Sequence, residues 1–495
     1  MNRQPSIRAG FIFAVITTII LGAGSCAVPL APGYQISRRA LEIQFVPGAG
    51  SKVGIHDSYT LVNSGNAPLT FIDVVFPDEN AYGRSGLKVE WDGQAATPEE
   101  LPEEYQPGSP GALRLNFRSP WNAKEKRNLV VDYTLSEPAG GNGTFVLGPE
   151  SFFLGTGGWL VDLLPPNHIL ATAPAPLSKT VYSVRVPNDF KVFARGSSAG
   201  EKRDGSEKIY SFALTPKDAV PFVIAGRYDS SAGGDKSGAT VWSASKQGNL
   251  PPAASKRFGS AWQILQKNFG VLNKREDEPL IVEAPNAGFG DRGNADENFP
   301  AFPGGVFINS GIPDGDPANK GFYDAVESAL ARTWFGDALV PAPAARIALG
   351  EGLPVYAAIV IDQELDGEAG RRRRIAQLLN QIEEARQNLK ASEKSVTATN
   401  DADSREQKRI ARAKAALLFI DLEDSAGANP VRLGLAQAIQ FLSGKEVTIN
   451  DVRAAIEFTT GKNLAAVFRN WLYTPGVPAD FRARYAGPAE TAKSN

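Results

Sequence analysis

Histidine, cysteine and methionine are nearly missing from this 495-residue chain, which holds two, one and one of them respectively. The two imidazoles, His56 and His168, lie far apart in the sequence. No pair of His one helical turn apart can be written anywhere, which excludes metal sites built on such a pair. The lone thiol, Cys26, excludes internal disulfides. An excess of either charge is also missing: 52 Lys and Arg face 54 Asp and Glu. Nothing in that balance points to nucleic acid. The apolar run 9–24 is too short, and too Gly-rich at its end, to read as a membrane span.

That run follows Arg3 and Arg8 and has the shape of a secretory signal. The segment 21–26, LGAGSC, resembles a bacterial lipoprotein cleavage box, with small residues before the Cys that would be acylated. Ala23 stands where that box usually has Leu. The expectation is a signal and lipobox over 1–26, export across the inner membrane, and a lipid anchor on Cys26 in the periplasm or outer membrane. A plain signal peptide and an uncleaved anchor are the alternatives.

A hydrophobic share of 42% with 21% charged residues suits a folded globular chain. The 49 Gly and 35 Pro imply many turns. Short alternating stretches such as LEIQFV (41–46), 128–135, 180–186 and 208–214 predict strands, and residues 34–229 read as one antiparallel β domain. A Gly/Ser/Lys run, 230–238, reads as a linker. Beyond it, 252–269 has helical apolar spacing and 279–284 reads as a strand. The spacing of Ile375, Leu378, Leu379 and Ile382 predicts an amphipathic helix over 370–389. Its opening run, Arg371 to Arg374, reads as a solvated face. A further helix is expected over 405–422 after a polar loop, and 481–495 reads as a tail.

Several motifs lead nowhere. GSSAG at 196–200 satisfies G-x-S-x-G, yet it lies between two strands and opens no helix. GFGDRG at 288–293 satisfies G-x-G-x-x-G, yet Pro300 and Pro303 follow where a phosphate-binding helix should start. His56 and His168 read as surface or packing residues.

The informative stretch is 326–356, VESALARTWFGDALVPAPAARIALGEGLPVY. It reads as a helix over 324–335, a Gly/Pro/Ala-rich connection, and a second helix opening near Glu351. Trp334, Phe335 and Gly336, followed by the Gly-Glu-Gly of 350–352, resemble the zinc aminopeptidases of the membrane alanyl aminopeptidase (gluzincin) family. That family carries H-E-x-x-H before x-W-F-G. The resemblance implies an α+β architecture: an N-terminal β saddle domain, then a thermolysin-like, mostly helical domain over 239–480. It also implies that Ser328 and Arg332 stand at the two His positions, Ala329 at the general-base Glu, and Glu351 at the third zinc ligand. The NADEN of 294–298 resembles the loop whose Glu holds a peptide's free amino terminus, which assigns peptide binding to Glu297 and Asn298. Arg412 stands where the family has its oxyanion-stabilising Tyr, in RAKA (412–415) against Y-x-K-G. The closing helices, 448–478, also match the family closely.

Two His at i and i+4 would aim two nitrogens at one zinc, and the Glu between them would activate the metal-bound water. A hydroxyl, a methyl and a guanidinium cannot do this, and Arg332 carries a permanent positive charge. No zinc or other cofactor is therefore expected. Arg332 is expected to pair with Glu351, and Arg412 with Glu297. An all-oxygen metal site from Asp324, Glu351 and Glu297 is disfavoured by Arg332 in its midst. The reading is a pseudopeptidase that binds or scaffolds a peptide or protein at the cell envelope. A metallopeptidase or other hydrolase with a rebuilt site is the alternative. Replacing Cys26 by Ser is expected to abolish acyl labelling and release the protein from the membrane fraction. Retention there with an uncleaved signal would identify the apolar run as an anchor.

Overall fold

The computed structural model describes residues 33–101, 111–137, 145–155, 158–164, 180–214, 221–232, 238–243, 250, 252–272, 279–284, 301–302, 304–309, 320–400 and 403–485. The signal and lipobox region, the 294–298 loop with Glu297 and Asn298, the 288–293 motif and His168 lie outside the described residues.

The N-terminal half is β structure because its apolar residues alternate. Thr180–Pro187 and Glu207–Leu214 bury every second side chain, so one face packs and the other is wet. The main sheet has eight strands. In order across it run Ser197–Asp204, Glu207–Leu214, Thr180–Pro187, Gln35–Val46, Lys52–Val62, Lys126–Ser136, Ser85–Trp91 and Gln94–Ala95. The expectation of a wholly antiparallel domain needs one correction. Gln35–Val46 and Thr180–Pro187, far apart in the chain, pair parallel at the sheet's centre. Two four-stranded sheets close the domain over an apolar core that includes Phe45, Trp121, Leu129 and Trp159.

A five-stranded sheet begins the second half. Its strands Thr240–Ser243, Leu280–Ala284 and Gly305–Asn309 run parallel. The helix Pro252–Phe269 forms the crossover between the first two, matching the expected span. Asp229–Ala232 pairs with Thr240–Ser243, so the first part of the expected linker is an edge strand of this sheet. Helices then dominate: Lys320–Ala331, Leu353–Asn388, Arg405–Ala426, Ala428–Leu442, Ile449–Thr460, Ala465–Leu472 and Ala479–Tyr485. The helix Leu353–Asn388 contains the expected 370–389 segment as its second half, set off by Gly367 at φ 70°. A left-handed backbone there is tolerated because Gly has no Cβ.

A third apolar cluster joins the two halves. Phe153, Phe222, Ile224 and Tyr228 from the β domain pack with Val282, Phe302 and Phe307 from the second sheet. Tyr228 also donates its hydroxyl to the Glu283 carbonyl at 2.9 Å.

The start of the long helix comes close to Arg405–Ala426 at Gly352, immediately after Glu351. A Cβ on Gly352 would lie 2.4 Å from the Ala415 Cβ and 3.2 Å from its carbonyl carbon. Only a residue without a side chain allows that approach, which sets Glu351 on one helix opposite Arg412 on the other. Gly352→Ala is therefore expected to destabilise the chain by about 1–3 kcal/mol through overpacking, measured by urea unfolding. A neutral result would mean that the two helices separate at little cost.

Candidate functional site

The helix Lys320–Ala331 buries Asp324, Val326, Glu327, Ala329 and Leu330. Three of these are apolar, as its spacing predicts, and two are carboxylates. Ser328 donates its hydroxyl to the Asp324 carbonyl at 2.8 Å, a local bond to the preceding turn. Ala329 is buried in the helical core. The helix then widens. The Asp337 and Leu339 amides donate to the Arg332 and Trp334 carbonyls, five residues back, at 3.0 and 2.9 Å. A second π-helical turn, Arg346–Gly352, holds Glu351. Such turns are uncommon and recur at functional sites.

Arg332 lies at the junction of helix and π turn and is half-buried, as are Glu351 and Arg412. Burial lowers the Arg332 guanidinium to about 10; Glu351 and Asp337 act against this, while Arg412 and Arg195 add to it. It remains charged at neutral pH. The structure thus brings Glu351 and Arg412 close enough to act on Arg332. It also adds Arg195 from the β domain, whose Nη2 lies 3.8 Å from Asp337 Oδ1.

The expected ion pair does not form. Among the described residues no salt bridge joins Arg332 to Glu351, although their charges are close enough to interact. Each is half-buried, so water still reaches part of both groups, although burial remains the largest influence on Arg332.

The buried ion pairs lie deeper, on residues the sequence reading passed over. Arg257 donates through Nε to Glu327 Oε1 at 2.7 Å and through Nη2 to Asp362 Oδ1 at 3.0 Å. Arg374 pairs with Asp324. Oxygens of Asp324, Glu327 and Asp362 lie within 4.8 Å of one another, a spacing that suits a cation, and guanidinium groups supply the positive charge. Burial pushes Arg374 down to about 9, with Arg412 and Arg257 adding to the effect, and it too stays charged at neutral pH. The signal was available in Asp324 and Glu327, three residues apart on a face shared with apolar side chains.

The run Arg371 to Arg374 also needs correction. Arg372 and Arg373 are solvated, but Arg371 and Arg374 are only 6% and 5% exposed. They sit three residues apart on the face that carries Ile375 and Leu378 into the core. Arg371 donates to Asp424 and to the Tyr485 hydroxyl, both at 2.7 Å.

Beside Arg412, Lys414 is fully buried and donates to the Thr474 carbonyl at 2.7 Å, with Glu393 at 3.5 Å. This ties the C-terminal segment to the helix that carries Arg412. His56 is exposed, with Nδ1 2.7 Å from Asp132 across the sheet, and Ser197 of the G-x-S-x-G motif lies on an exposed edge strand.

Arg374→Met is expected to cost about 3–5 kcal/mol in urea unfolding, because it leaves Asp324 charged and buried without a counterion. Pairing it with Asp324→Asn should recover most of that loss. Equal losses in the single and double variants would show that the pair contributes packing alone.

No protein-family model matches the chain, and no curated protein matches it in sequence. Solved structures do match. An M1 zinc metallopeptidase from Deinococcus radiodurans shares 15% identity at a TM-score of 0.56, covering 90% of this chain and 95% of its own. A mutant two-domain M1 zinc metallopeptidase bound to L-arginine aligns at 0.57 and 15% identity, with the same coverage. A mutant from Deinococcus radiodurans, bound to a Tyr-Ser-Ala substrate, aligns at 0.54 and 16% identity, covering 90% of this chain and 95% of its own. At such identities the likeness concerns the fold. This chain has the two-part architecture of the M1 zinc metallopeptidases, a β domain followed by a helical domain.

Proposed function

We propose that this chain is a non-catalytic relative of the M1 metallopeptidases that binds peptides at the bacterial cell envelope. One observation carries the reading: a half-buried guanidinium, Arg332, occupies the place that the resemblance assigns to the second zinc-binding His. The donor set around it does not suit zinc. Ser328 already donates its hydroxyl to its own helix. Ala329 offers no ligand or base, and Glu351 is the one carboxylate left at the three ligand positions. Arg332 and Arg412 would repel a divalent cation placed beside it. No hydrolytic step through a metal can be built on these residues.

A cleft in the fold supports peptide binding. A cleft of about 870 Å³ runs between the β domain and the base of the helical domain. Phe193, Tyr210 and Phe302 contribute apolar wall, while Ser198, Thr333 and Asp337 contribute polar groups. Apolar and polar groups share its wall in comparable measure, the carboxylates of Glu201 and Asp337 among them. The M1 metallopeptidase mutant with Tyr-Ser-Ala shows that the shared architecture accommodates a short peptide in that relative. Envelope location rests on the signal-like N-terminus and Cys26.

The purified full chain is expected to hold no stoichiometric zinc and to leave aminoacyl anilides uncleaved. Elemental analysis and a chromogenic assay with added zinc check both. One zinc per chain, lost in Glu351→Ala, would overturn the proposal in favour of a metallopeptidase with a rebuilt site.

A further inference from the structure

A second cavity lies on the helical domain and shares no lining residue with the larger cleft. Ile449, Asn450 and Arg453 line it from the helix Ile449–Thr460, and Ala465, Phe468 and Arg469 from the helix Ala465–Leu472. Within each set the residues are three or four apart, so each helix offers one face. Tyr473, the residue after the second helix, also lines it. The cavity holds about 370 Å³, within the range of small-ligand pockets.

The structure holds this wall in place before any ligand arrives. The Leu472 and Thr474 carbonyls, on either side of Tyr473, accept from Thr397 Oγ1 at 3.2 Å and Lys414 Nζ at 2.7 Å. Trp471 donates through Nε1 to Asp421 at 2.8 Å. The lining is mostly apolar: Phe468 and Ile449 are buried, while Tyr473 leaves 54% of its surface exposed.

Both cations in the lining have donors to spare. Arg453 Nε is buried and has no hydrogen-bond partner. Its ion-pair partner, Glu457 Oε1, is 3.8 Å away and already accepts the Leu464 amide at 2.8 Å. A buried N–H left unmet is costly and rare. Arg469 is exposed, and its guanidinium makes no ion pair or hydrogen bond among the described residues. No Asp or Glu among those residues lines the cavity. Asp451, on the first turn of the same helix, is engaged by the Thr448 amide and hydroxyl at 2.8 and 2.6 Å.

We propose that this cavity is a ligand site for a small carboxylate with an apolar body. Arg453 and Arg469 hold the carboxylate, and Phe468 and Tyr473 pack against the body. Two guanidinium groups with no acid in the lining favour an anion. A bare inorganic anion would leave the apolar walls facing water, so the ligand carries both parts. The site is independent of the peptide-binding reading.

Ligand-observed NMR titration of the full chain tests it, with 3-phenylpropionate, 3-phenylpropanol and acetate as probes. The acid is expected to bind. The alcohol, which keeps the ring and loses the charge, should bind roughly ten- to a hundredfold more weakly, the worth of a charge-assisted hydrogen bond. Acetate, which lacks the ring, should show no binding. Arg469→Gln should impose the same loss on the acid and leave the alcohol unchanged. Ala465→Trp, which fills the space with an indole, should abolish binding of the acid at unchanged far-UV circular dichroism. Arg453→Gln, expected to weaken the acid alone, serves if Ala465→Trp does not fold. Equal binding of acid and alcohol would overturn the site. So would acid binding that neither Arg469→Gln nor Ala465→Trp disturbs, or no binding of the acid at all.

Discussion

Four buried charges and one half-buried guanidinium hold the helical domain in register. Arg257 on one helix reaches Glu327 on the second and Asp362 on the third, and Arg374 closes the set onto Asp324. Taking a carboxylate out of water costs several kcal/mol unless a counterion with good geometry replaces the hydration. A planar guanidinium can bond two carboxylates from different helices at once, and Lys could not do so with the same geometry. The arrangement therefore specifies how Pro252–Phe269, Lys320–Ala331 and Leu353–Asn388 meet. It does so a turn below the place where the resemblance puts a metal.

Above that layer the chain is less tightly satisfied. Two π turns replace regular helix there, and Arg332, Glu351 and Arg412 are only half-buried. Arg412 and Arg195 both repel Arg332, offset in part by Glu351 and Asp337. A dry core would not tolerate this without tighter pairing. Half-burial lets water complete part of the hydrogen bonding of Arg332, Glu351 and Arg412.

Much of the architecture was legible from local pattern. Alternating burial in Thr180–Pro187 and the apolar spacing of Pro252–Phe269 follow from periods of two and 3.6, which need no partner to be recognised. The assignment of Ser328, Arg332, Glu351 and Arg412 rests instead on the resemblance carried by the Trp-Phe-Gly and Gly-Glu-Gly phrases. Ion pairing was not legible. Nothing local distinguishes Arg371 and Arg374 from Arg372 and Arg373, because their fates depend on how the helix is rotated against its neighbours. The same blindness produced the expected bond between Arg332 and Glu351. Their opposite charge and shared location were readable, but how much water reaches them was not.

The sequence by itself determined the absence of paired His, the methyl at Ala329, and the cation at Arg332, because these are matters of which atoms are present. The tertiary structure decided where compensation lies. It placed Asp324, Glu327 and Asp362 within reach of Arg257 and Arg374, and it brought Arg195 from the β domain to Asp337 of the helical domain. Charges separated by more than a hundred residues interact only after the chain has folded, and their strength depends on how much water the fold removes between them.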